Sequence, residues 1–186
     1  ARSAKLTRGM ENAGGSYGDY QVLQLIGEGG MGRVFRARHA RTSRDVALKV
    51  RLPNPDRDLE EIKRFRREAQ YLSKLQHPNV VKIFDTGETQ DGQLWLAMEL
   101  VAGQSMADHI ETRGKIPIVE SARWIADSAR GLQAIHDLSI AHRDLKPDNI
   151  MITDQGVVKV MDFGLARDAN ATQLTAGTVP LVRLSG

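Results

Sequence analysis

A chain of 186 residues with 41% apolar content makes roughly one domain with a packed core, and the absence of cysteine excludes disulfides, thiolate nucleophiles and cysteine-ligated zinc. The five histidines lack zinc-ligand spacing, and a formal charge of +3 with 5% aromatics carries none of the basic, aromatic-interleaved stripe of a nucleic-acid binder, so no nucleic acid is expected as partner. Apolar runs fall short of the ~20 residues of a membrane helix and no apolar signal core opens the chain, so the expectation is a soluble, cytoplasmic protein in a reducing compartment with no membrane segment in this chain.

Residues 1–19 are polar and glycine-bearing, which predicts a flexible N-terminal tail. From Tyr20, YQVLQLIGEGG and MGRVFRARH read as two strands joined by a glycine-rich turn. RDVALKVRL reads as a third strand, stopped by Pro53 and Pro55. DLEEIKRFRREAQYLSKLQ is the clearest helix, with Leu59, Ile62, Phe65, Ala69, Leu72 and Leu75 at steps of three and four and acids in its first turn. VVKIFDTG and QLWLAMELV form a second hairpin around QDG. Beyond Val101 the pattern turns helical: SMADHIETRG, then about 119–136 with Ala122, Ile125, Ala129, Leu132 and Ile135 on one face. HRDLKPDN, the strand pair NIMI and VVKVM, and DFGLARDANATQLTAGTVPLVRLSG complete the chain.

Gly27-Glu28-Gly29-Gly30-Met31-Gly32 fits G-x-G-x-x-G, where missing Cβ atoms let backbone approach phosphate oxygens. A strand follows the glycines where a dinucleotide-binding fold needs a helix, which favours a loop over phosphates between antiparallel strands, with an ordinary glycine turn as the alternative. Lys49 follows the apolar Val46-Ala47-Leu48 in its strand, as a ligand or, alternatively, as an edge or outward-facing residue. Glu68, seven residues before Leu75 on the inner helix stripe, calls for a cationic partner, or else pairs in solvent with Arg64. Asp144, Lys146, Asp148, Asn149 and Asp162 supply carboxylates and an amide suited to magnesium beside substrate phosphates; turn formation explains Asp148 well and the others poorly.

In order and spacing, GEGGMGRV, VALK, HRDLKPDN and DFG resemble the signature set of the eukaryotic-type (Hanks-type) Ser/Thr protein kinase family, over about residues 20–167 and with a bacterial look to the wording. The resemblance implies an α+β, bilobal kinase-like fold with ATP and Mg2+ as cofactors. A small β-rich lobe would span 20–101 and a partial helical large lobe 102–186. It implies Lys49 on the α- and β-phosphates and paired with Glu68, the backbone of 27–32 over the phosphates, and Asp144 as acceptor of the substrate hydroxyl proton. Lys146 would sit on the γ-phosphate, favouring serine or threonine as acceptor, with Asn149 and Asp162 on magnesium. The adenine would lie against Ile26, Val34 and Ala47 above and Met151 below, with hinge bonds from Glu99 to Val101, Met98 as gatekeeper and Ser105 where many relatives place an acid for the ribose. Leu72, Ile83, His142 and Phe163 match the family's apolar spine. Arg143 implies control by a phosphate in the activation segment, Thr172 and Thr175 being the candidates.

After DFG the family pattern leads to a G-T-x-x-Y-x-x-P-E-like docking motif, whereas here Gly177-Thr178 is followed by Leu181, Leu184 and Ser185 at the later positions. The expectation is a chain truncated after the activation segment. Three readings follow: a Ser/Thr kinase catalytic domain acting on protein substrates; a truncated, weakly active or inactive nucleotide-binding module; and an interaction scaffold, disfavoured because every catalytic position is filled. A dimer or an autophosphorylation partner is a further expectation.

Overall fold

The structure, a computed structural model, describes residues 15–29, 32–52 and 59–163. Its first part is an antiparallel sheet of strands β1 (Ser16–Tyr17), β2 (Tyr20–Gly29), β3 (Gly32–His39), β4 (Asp45–Arg51), β5 (Ile83–Glu88) and β6 (Leu94–Glu99), in the order β1-β2-β3-β4-β6-β5. Strands β4 and β6 lie inside the sheet and are covered on both faces, which is why Val46-Ala47-Leu48 and Leu94 to Met98 are continuous apolar runs. Tyr20, Val22, Phe35, Leu48 and Trp95 pack on one face. Part of the expected tail belongs to this sheet: β1 pairs with β2, and Tyr17 packs against the same cluster.

Helix α1 (Leu59–Lys74) crosses the other face, burying Phe65, Ala69 and Leu72 against Leu94 and Leu96. Leu59, expected on that stripe, is 72% exposed. At ~100° per residue it lies about 120° around the axis from Phe65. Glu61 takes the inward place instead and meets Arg51 of β4 at 2.8 Å, in a pair with little solvent access.

The second part comprises β7 (Gly103–Ser105), α2 (Met106–Arg113), α3 (Ile118–His136), a 3-10 turn at Pro147–Asn149, β8 (Ile150–Thr153) and β9 (Val158–Val160), with a sheet ordered β7-β8-β9. The face of α3 differs from expectation. Trp124, Ser128, Gly131 and Ile135 are buried, whereas Ala122, Ile125 and Ala129 face solvent, as does Ile118. Both sets repeat at steps of three and four, so periodicity alone does not choose between them. Trp124 decides the choice by packing on Ile150, Ile152 and Val158.

The segment between α1 and β5 ties the two parts together. The Asn79 carbonyl accepts from Val160 N at 2.9 Å, its amide Nδ2 donates to Val158 O at 2.9 Å, and Val81 N donates to Val160 O at 2.9 Å. Helix α3 passes close to this segment: a Cβ on Gly131 would lie 2.5 Å from the Asn79 carbonyl oxygen. Nearby, Lys159 of β9 meets the Glu99 carboxylate at 3.0 Å, and the same Oε2 accepts the Lys82 backbone N–H at 3.2 Å.

Candidate nucleotide and phosphoryl-transfer site

The β2–β3 hairpin, the end of β4 and the loops flanking β8 and β9 enclose a cleft of about 370 Å³. Gly27, Gly29, Gly32 and Val34 contribute from the hairpin, Lys49 from β4, Asp144, Lys146 and Asn149 from the loop after α3, and Asp162 from the residues after β9. Gly30 and Met31 lie outside the described residues, as do Thr172 and Thr175. Among the described residues other than its chain neighbours, no atom comes within 4 Å of a Cβ built on Gly29, so the packing around it does not itself demand glycine.

Local geometry holds the acidic and amide groups in place. Pro147 opens the 3-10 turn that carries Asn149, whose Nδ2 donates to the Asp144 carbonyl at 2.7 Å and to Asp144 Oδ2 at 3.1 Å. His142 is buried, with Nε2 2.9 Å from Met161 O and its ring edge-on to Phe163 at 5.7 Å. Burial lowers its pKa below the ordinary 6.5. Arg143 and Asp162 both adopt left-handed backbone, with φ 61° and 58°. Such conformations cost about 1–3 kcal/mol in non-glycine residues and cluster at functional sites. Leu72, Ile83 and Phe163 share one core cluster, so with His142 the expected spine residues come together.

The pairing of the charged residues departs from expectation. Lys49 Nζ meets Asp162 Oδ1 at 2.8 Å, and Glu68 stands 3.8 Å from Arg143. The Lys49–Glu68 pair is not formed, because α1 presents Glu68 toward the loop that carries Arg143 and leaves Lys49 to the carboxylate across the cleft. Asp162 Oδ1 is buried and has no aligned hydrogen bond, Lys49 being its ion-pair partner only. Behind Lys49, the space bounded by Arg51, Phe65, Leu96, Met98 and Phe163 is only about 20 Å³, room for one water at most. Lys146 is exposed at the cleft and meets no anion among the described residues.

The residues expected around the adenine are mostly apolar. Val34, Ala47, Met98 and Val101 share a cluster, and the Val101 N–H has no hydrogen-bond partner among the described residues. Ile26 is exposed on the hairpin, and Met151 is half-buried between the inward-facing Ile150 and Ile152. Ser105 caps α2 in a reciprocal box with Asp108. Sequence reading assigned Ser105 alone, although Ser105-Met106-Ala107-Asp108 has the S-x-x-D form of a capping box. Asn79, Arg51, Glu61 and Lys159 were not singled out, since their partners are distant in the chain.

Asn149 and Asp162 fit a hard divalent cation: their donors are oxygens, and Asp162 presents a buried oxygen short of partners. Among the described residues no three carboxylate, imidazole or thiol groups cluster, so remaining positions would fall to water or phosphate.

Comparison with known proteins agrees with this geometry. The model of the protein kinase domain matches residues 20–180, and the chain belongs to that family. It is 43% identical over 160 residues to the serine/threonine-protein kinase PknB of Mycobacterium leprae, covering 84% of this chain and 26% of that protein. To PrkC, a serine/threonine-protein kinase of Bacillus subtilis, it is 39% identical over 158 residues, covering 85% and 24%. The crystal structure of the Mycobacterium tuberculosis PknI kinase domain superposes with a TM-score of 0.76 at 31% identity, covering 83% of this chain and 63% of that one. The fold is therefore the protein-kinase fold, and the chain spans about a quarter of the length of the curated relatives it matches. Among the described residues no helix is long and apolar enough to cross a membrane.

Proposed function

We propose that this chain carries the nucleotide-binding and catalytic groups of a protein serine/threonine kinase that transfers the γ-phosphoryl group of ATP to a serine or threonine hydroxyl of a protein. The observation that carries this reading is the convergence of Lys49, Asp144, Lys146, Asn149 and Asp162 on one cleft beneath the glycine hairpin. Magnesium held by Asn149 and Asp162 would supply charge compensation to the phosphate oxygens. Asp144, whose carboxylate is fixed by Asn149, orients the acceptor hydroxyl and takes its proton as that oxygen bonds to the γ-phosphorus. The bond from the γ-phosphorus to the β-phosphate oxygen breaks, and ADP leaves. Lys146 and Lys49 offset charge on the transferring and remaining phosphates. No covalent nucleophile is needed, because phosphoryl transfer asks mainly for placement and charge compensation.

A second reading, a nucleotide-binding module with little transfer, is favoured by one observation: Glu68 faces Arg143 while Lys49 pairs with Asp162. Transfer of radiolabel from ATP to a threonine-containing protein substrate, abolished by Asp144→Asn, supports the kinase reading. Binding of Mg-ATP without transfer leaves the module reading, and no calorimetric heat at millimolar ATP refutes both. Arg143, beside α1 through Glu68, is the group we propose to read a phosphate in the activation segment.

A further inference from the structure

Resting on the reading of Asp162 as a divalent-cation ligand, we infer that Arg51 and Glu61 are positioning residues that keep Lys49 on the Asp162 carboxylate, so that an ion pair outside the cleft restricts a cation's access to that ligand. Lys49 and Arg51 stand two residues apart on β4, so their side chains leave one face of the strand roughly 6–7 Å apart. Both border the small space behind Lys49, and α1 contributes Phe65 to the same space. Glu61, Phe65 and Glu68 follow one another on α1 at steps of four and three, which places them on one side of the helix. Glu61 is seated on Arg51 at 2.8 Å, with side-chain exposures of 7% and 12%, and the Arg51 guanidinium lies 6.0 Å from the Phe65 ring centroid.

With Glu61 seated there, the α1 side chain that reaches the space beside Lys49 is the apolar Phe65, one turn further on. Glu68, a turn beyond, meets Arg143 at 3.8 Å. Among the described residues α1 therefore gives Lys49 no anion, and its ammonium rests on Asp162 Oδ1 at 2.8 Å. That oxygen is buried and carries no hydrogen bond, which suits it to a hard cation, yet a positive charge already stands against it. A divalent cation arriving at Asp162 meets like charge at close range. Neither Arg51 nor Glu61 lines the cleft, so the pair acts on the cation site only through Lys49. Being buried, it is also screened little by salt.

The test is binding of Mn2+ alone, followed by loss of the free-ion paramagnetic resonance signal, with the site defined as the binding that Asp162→Asn removes. Lys49→Met should raise the affinity of that site at least about threefold, because the competing ammonium is gone. Arg51→Met with Glu61→Leu removes the pair without leaving a stray charge and should raise it about threefold, while Arg51→Lys, which keeps a cation for Glu61, should stay within about 1.5-fold of wild type. In the Lys49→Met background the same double substitution should change the affinity less than about 1.5-fold, since its effect passes through the lysine. Urea melts establish that each variant is folded where binding is measured. An unchanged affinity in the double variant overturns the inference, as does a gain that persists in full without Lys49. A merely structural role would lower the affinity with or without Lys49, and that outcome overturns it too. Absence of Asp162-dependent Mn2+ binding from both the wild-type chain and Lys49→Met overturns the cation-site reading itself, and the inference with it.

Discussion

Replacing Gly131 with alanine sets two effects of opposite sign against each other. Alanine in mid-helix favours folding by about 1 kcal/mol over glycine. The new Cβ would lie 2.5 Å from the Asn79 carbonyl oxygen, 3.2 Å from its carbon and 3.3 Å from the Asn79 Cβ. Asn79 cannot retreat freely, because its carbonyl receives Val160 N and its side chain holds Val158 O. Overpacking of this kind costs about 1–3 kcal/mol. Stretching the buried Val160 bond adds about 1 kcal/mol. The net expectation is a destabilisation of about 2 kcal/mol, a fall in Tm of roughly 4–8 °C for a chain of this size. Thermal and urea melts followed by circular dichroism measure it, with Ala129→Gly on the exposed face of α3 sizing the propensity effect alone. A Tm that rises in Gly131→Ala would refute the close approach of α3 to Asn79.

Arg51→Met removes a cation at 2.8 Å from the buried Glu61 and should lower stability by about 1–3 kcal/mol, and adding Glu61→Leu should recover part of the loss; urea midpoints of the single and double variants decide it. His142 has a lowered pKa in the fold, so it contributes stability fully present above the unfolded value near 6.5 and lost as pH falls through the lowered one. Melting at pH 7.5 and 5 should therefore show a loss on acidification that is smaller in His142→Phe. Because Lys49 faces Asp162 and not Glu68, Lys49→Met should weaken ATP binding at least fivefold while Glu68→Gln changes it less than about twofold, a contrast that calorimetry reads directly.

The identities of the cleft residues were legible because they stand in local motifs: glycines in a hairpin, Lys49 in a strand, Asp144 and Asn149 five residues apart. Their partnerships were not. Whether Glu68 meets Lys49 or Arg143 depends on the placement of a whole helix, which no local pattern records. The face of α3 escaped for a related reason, since two apolar stripes were available and only contacts with β8, β9 and Asn79 choose between them. Strand β7 is three residues of Gly-Gln-Ser with no apolar alternation, and it exists because Gln104 and its neighbours find partners on β8. Leu59 and the stretch around Tyr17 show the same dependence of burial on neighbours distant in sequence.

The attachment of Asn79 and Val81 to β9 has a mechanical consequence. Two bodies joined only by the chain near Val101 could both swing and twist about that link. A second attachment, made through hydrogen bonds at Val158 and Val160, defines a line through two points. Twisting of one body against the other must break these buried bonds, and the core cluster that joins Leu72 and Leu94 to Ile135 and Val160 resists it further.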